Sequence, residues 1–98
     1  MERYSSRGID ELGRIVLHSE LRNRLGLETG DKVSLLSVDN IVILQRAKDN
    51  PGPDYAVSQV SELGMIELPA ELRQKQGWKE RDRIALYNTD NLIILKLA

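Results

Sequence analysis

Adding 51 to every position from Ile9 to Ala47 lands, without a gap, on Val60 to Ala98. The stretch ELGRIVLHSELRNRLG, Glu11 to Gly26, thus returns as ELGMIELPAELRQKQG, Glu62 to Gly77. Identical pairs include Leu12/Leu63, Gly13/Gly64, Leu21/Leu72, Arg22/Arg73, Gly26/Gly77, Asp31/Asp82 and Leu44/Leu95. A repeat this regular constrains the fold before any single element does. A unit of ~50 residues buries too small a fraction of its surface to be comfortably stable alone. The two copies are therefore expected to share one core. The sequence divides into a first repeat at 1–47, a linker at 48–54 (KDNPGPD, with two prolines and a glycine) and a second repeat at 55–98.

Each copy reads with the same plan. A first strand, expected near Gly8–Asp10 and Ala56–Ser61, leads into a Glu-Leu-Gly turn, where glycine supplies the positive φ that tight turns demand. A short strand follows (RIVL or MIEL) and then a short helix (SELRNRL or PAELRQKQ). Leu17, Leu21 and Leu25 are spaced as one helical stripe, Pro69 suits a first helical turn, and Gly26 and Gly77 suit left-handed helix ends. Two strands joined at Asp39-Asn40, or at Asp90-Asn91, close each copy as a hairpin. Ile41–Leu44 and Leu92–Leu95 are apolar throughout, which predicts burial of both faces. One four-stranded unit cannot supply that cover; the other repeat can.

Composition closes off several function classes. The 98 residues contain no cysteine, so a disulfide framework, a zinc ribbon and a thiol nucleophile are excluded. The polar N-terminus and the short apolar runs predict neither a signal peptide nor a membrane span, and a cytoplasmic location is expected. A net charge of −1 argues against indiscriminate coating of nucleic acid, but charge is unevenly divided. From Arg3 to Leu25 there are five basic and three acidic residues; from Asp54 to Gln76 there are two and four.

The DELGRIVL turn and strand, followed by ELRNRLGL and GDKVSLL, resembles the AbrB-type swapped-hairpin family of DNA-binding proteins, which includes transition-state regulators and MazE-like antitoxins. The resemblance covers Ile9 to Ala47 and, in a degenerate form, Val60 to Ala98. It implies a mostly β fold with short helices, in which two repeats interleave their hairpins into a pseudo-dimeric, barrel-like core. Pairing within one chain is the expectation, and exchange between two chains in a homodimer is the alternative left open by a short linker.

By position, the family's DNA-contacting basic residues fall on Arg7, Arg14 and Arg22, with Asn23 at a further contact position. The matching residues of the second repeat are Ser58, Met65, Arg73 and Gln74, of which Arg73 alone is basic. Arg24 on the helix and Arg3 in an N-terminal arm are further candidates. Guanidinium groups suit this role because their forked donors pair bidentately with phosphate or with guanine edges. The expected partner is double-stranded DNA.

No enzyme site can be assembled. Asp10 and Glu11 lack a nucleophile beside them and read as turn residues. His18 with Glu20 is too small a ligand set for a metal, and no P-loop, dinucleotide-binding or Ser/His/Asp pattern occurs, so neither cofactor nor catalysis is expected. A helix-turn-helix needs a second helix where this chain has strand character. Trp78 reads as a packing residue. The alternative function is a protein-interaction or oligomerisation module, including an antitoxin-like one, with little DNA affinity.

Overall fold

In the computed structural model, which describes residues 2–49 and 51–98 and side chains from Ser5 onward, the two repeats are interlaced. The first contributes β1 (Glu2–Gly8), β2 (Arg14–Val16), α1 (Ser19–Leu25), β3 (Lys32–Val38) and β4 (Ile41–Arg46). The second contributes β5 (Tyr55–Gln59), β6 (Met65–Glu67), α2 (Ala70–Gln76), β7 (Arg83–Asn88) and β8 (Ile93–Leu97). Every strand pairing is antiparallel.

One sheet has the order β1-β7-β8-β4-β3-β5, and β2 pairs with β6 as a separate ribbon. Each repeat's first strand thus lies on the other repeat's hairpin: β1 pairs with β7, and β5 runs back from the linker onto β3. The ribbon lies against β1 on one side and β5 on the other, which gives the assembly its barrel-like closure. In the registers, Ile43 faces Ile94 and Ile15 faces Ile66, and both pairs are 51 residues apart. A pseudo-two-fold axis therefore passes through the centre of the sheet and the centre of the ribbon.

The core lies between them. Ile15, Leu17, Leu21, Leu35 and Leu44 from the first repeat meet Ile66, Leu68, Leu72, Leu86 and Leu95 from the second in one buried cluster. Trp78 belongs to the same cluster. At ~25 cal/mol per Å² of apolar surface, each fully buried leucine or isoleucine contributes roughly 1.5–3 kcal/mol, and neither repeat could bury them alone. Helices of seven residues are too short to persist in isolation, so α1 and α2 exist because Leu21 and Leu72 are held by this core. Both end at a left-handed glycine, Gly26 at φ 66° and Gly77 at φ 73°, as expected. Neither helix is long and apolar enough to cross a membrane.

Several local expectations need correction. The first strand occupies Glu2–Gly8 and not Gly8–Asp10, because its partner is the distant β7 and an edge strand needs no continuous apolar pattern. Leu17 and Pro69 precede their helices. In β4 only Val42 and Leu44 are fully buried, while Ile41 and Ile43 are half-buried on the opposite face. Linker residue Asn50 lies outside the described residues.

Candidate nucleic-acid interface

The six residues proposed from sequence to touch DNA are Arg7, Arg14, Arg22, Asn23, Arg24 and Arg73. Arg14, Arg22 and Arg73 lie at the two turns that flank the ribbon, Arg7 lies on β1, and Asn23 and Arg24 lie on α1. Their surroundings differ.

Arg14 leaves β2 beside its own turn. Asp10 accepts the backbone N–H groups of Leu12 and Arg14 on Oδ1, at 2.9 and 2.7 Å, and the Arg14 Nε–H on Oδ2 at 2.8 Å. Partial burial alone would raise the Asp10 pKa. The N–H groups of Arg14 and Leu12 and the Arg14 guanidinium outweigh it and hold the carboxyl below its ordinary value. One carboxylate thereby fixes both the turn and the direction of Arg14. In the second repeat Ser61 replaces Asp10, and its Oγ accepts the Met65 N–H at 3.1 Å. The turn survives, but neither the charge nor the arginine does. Across the ribbon Arg14 faces Glu67, and Val16 faces Met65. The exposed side of the ribbon is thus one cation, one anion and two apolar residues.

Arg22 and Arg73 form a matched pair. Arg22 donates from Nε to the Leu17 carbonyl at 2.9 Å, and Arg73 to that of Leu68 at 2.8 Å. Leu17 in turn donates its N–H to the Gly64 carbonyl, and Leu68 to that of Gly13. Each guanidinium lies flat against the opposite repeat's turn: a Cβ built on Gly64 would sit 2.9 Å from Arg22 Cζ, and one on Gly13 would sit 2.6 Å from Arg73 Cζ. Both glycines also carry positive φ, +73° and +78°. The two arginines therefore link the repeats as well as lining the pole. That Arg22/Arg73 and Gly13/Gly64 are both identical across the repeat is the sequence signal for this contact.

Arg7 projects from β1 at the position equivalent to Ser58, whose Oγ accepts the Glu67 N–H at 3.2 Å. Its Nε is buried without a hydrogen-bond partner. Arg24 pairs with Glu20 at 3.2 Å, and Asn88, with its amide turned to satisfy both atoms, accepts from Arg24 Nη1 at 2.8 Å. Asn23 is exposed on α1. Arg3 lies in β1, with its side chain outside the described ones. Asp31 pairs with Arg46 of its own repeat at 3.6 Å.

Leu12 and Leu63, read as turn residues, stand in the turns 57% and 75% exposed. Among the described residues no group of three or more His, Cys, Asp or Glu could hold a metal ion.

No protein-family model matches the chain, and no curated protein matches it. Among solved structures, the solution structure of PHS018 from Pyrococcus horikoshii is similar at a TM-score of 0.56 and 23% identity, over 96% of this chain and 87% of that one. At that identity the likeness is one of fold, over most of both chains.

Proposed function

We propose that the chain is a cytoplasmic DNA-binding transcriptional regulator of the AbrB type, working as a single chain that carries its own pseudo-dimer. Duplex DNA is contacted at the ribbon pole, mainly by the first repeat through Arg7, Arg14, Arg22, Asn23 and Arg24, with Arg73 as the second repeat's contribution. The observation that carries this reading is the placement of Arg14, Arg22 and Arg73 around one pole, each with its Nε bonded to a carboxylate or backbone carbonyl. Such anchoring lowers the entropy lost when the outer guanidinium nitrogens meet phosphate.

Titration of labelled duplex at several salt concentrations tests the reading. Binding should weaken with a log–log slope near −0.9 for each phosphate neutralised. Arg14→Ala should weaken binding and flatten that slope, whereas Met65→Ala should leave both unchanged. Arg14 is a cleaner probe than Arg22, whose loss also opens the contact with Gly64. Absence of duplex binding by the wild type at low salt would sink the proposal.

A second reading, a protein-interaction module of low DNA affinity, is favoured by Glu67 opposite Arg14 and by the exposed Leu12 and Leu63. Duplex binding that ignores Arg14→Ala would favour it.

A further inference from the structure

The six-stranded sheet has a second face, at the pole opposite the arginines. One register row crosses it from β5 to β7: Tyr55, Leu36, Ile43, Ile94, Tyr87. Side chains alternate along a strand, and Leu35, Leu44, Leu86 and Leu95 point into the core, so this row points outward. Ile94 is buried yet stands apart from the core cluster; its cover comes from neighbours on this outer face. Val38 and Val57 extend the apolar surface and are 38% and 47% exposed. Neither helix crosses it, since their buried residues Leu21 and Leu72 belong to the core.

Across β3, β4, β5, β7 and β8 the strand charges on this face have one sign. None of β3, β4, β5, β7 or β8 contains Asp or Glu, while Lys32, Arg83 and Lys96 share the outward parity of the row. Carboxylates stand at the margins, at Asp39 and Asp90 in the hairpin turns and at Asp54 and Glu71 beside Tyr55 at the β5 end of the row. An apolar stripe bordered by cations on a chain of net charge −1 is a local reversal of the molecule's balance.

We propose that this outer sheet face docks a protein segment that is apolar on one side and acidic along its margins. Charge complementarity selects that occupant. A second copy stacked face to face would bring Lys32, Arg83 and Lys96 against their own kind. Single-stranded nucleic acid would need aromatic platforms at base spacing, but the two tyrosines are four strand intervals apart, about 19 Å, with aliphatic residues between them. A helix of ~13 residues spans that distance and can lay one leucine face along the row.

The test uses the full chain, isotope-labelled for NMR, and three probes: a ~13-residue helical peptide with leucines on one face and glutamates on the other, the same peptide with lysines replacing the glutamates, and a short oligo-dT. The Leu/Glu peptide should shift amide signals of β4 and β8, and the Leu/Lys peptide should bind roughly tenfold more weakly or worse. Lys96→Glu, at an exposed site, should weaken the Leu/Glu peptide by about tenfold with an unchanged thermal melt. Ile43→Glu, checked for folding by circular dichroism, should abolish binding. No binding of the Leu/Glu peptide, equal affinity for both peptides, shifts confined to the ribbon pole, or preferential binding of oligo-dT would each overturn the proposal. A wild-type dimer mass in sedimentation that Ile43→Glu reduces to a monomer would assign the face to a second copy and overturn it as well.

Discussion

The turn Asp10–Arg14 and the turn Ser61–Met65 have the same backbone and different surfaces. In both, the N–H of the glycine bonds the carbonyl of the first residue, and first and last residues exchange a backbone bond, Asp10 N–H to Arg14 and Ser61 N–H to Met65. Both first residues also accept the last residue's N–H on a side-chain oxygen. What differs is charge: aspartate and arginine in one copy, serine and methionine in the other. The comparison separates the demands of the fold from those of the surface, because a duplicated fold needs its turns twice while an interface can be carried once.

The largest test of this division lies where the copies are equal. Ile15 and Ile66 meet on the pseudo-axis, 0% and 1% exposed, and truncation of either to alanine should cost ~2–5 kcal/mol. Chemical unfolding of both variants should give losses of similar size. A loss in one alone would break the claim that the core is shared evenly.

Next come the glycines beneath the paired arginines. Gly13→Ala and Gly64→Ala should each cost ~1–2 kcal/mol, mainly because alanine is strained at positive φ, and each should also displace the opposite guanidinium. Adding Arg73→Ala to Gly13→Ala relieves the crowding but not the strain. Unfolding of the double variant as stable as the wild type would show that crowding, and not φ, sets the cost.

A transplant sharpens the comparison further. Ser61→Asp with Met65→Arg gives the second turn the residues of the first. If the ribbon pole meets DNA, this variant should bind duplex more tightly and steepen the salt slope by about 0.9 for one added phosphate contact. An unchanged slope would leave the methionine turn's silence unexplained by charge.

The smallest effect is the pH response of Asp10. Its folded-state pKa is depressed, so its stabilisation is present above the unfolded carboxylate value and is lost as pH falls through the lower, folded value. Asp10→Ser, which copies the second repeat, should remove that part of the acid sensitivity by lowering stability near neutrality while leaving it little changed at low pH, where the carboxyl is already protonated. Acid unfolding curves of the two proteins that superimpose would show that the turn gains nothing from the charge.

Much of this architecture was legible in the residues, and the failures are instructive. The repeat, the linker and the left-handed helix ends depend on local sequence, and so they could be read. Ile43 and Ile94 were both expected to be buried; Ile94 is, whereas Ile43 is only half-buried, because strand alternation places this pair on the outer face of the sheet. Arg22 and Arg73 were read as surface contacts, and the structure lays each against the opposite repeat's turn.

By itself the sequence determined that two copies of one unit must complete a common core, since each carries more apolar strand than it can bury. Tertiary structure alone decided that β1 joins β7, that Arg22 lies on Gly64 and that Arg14 confronts Glu67. Those pairings span more than forty positions. Local periodicity fixes which face of a strand is apolar, but only the packing of both repeats fixes which strand, and which charge, lies across from it.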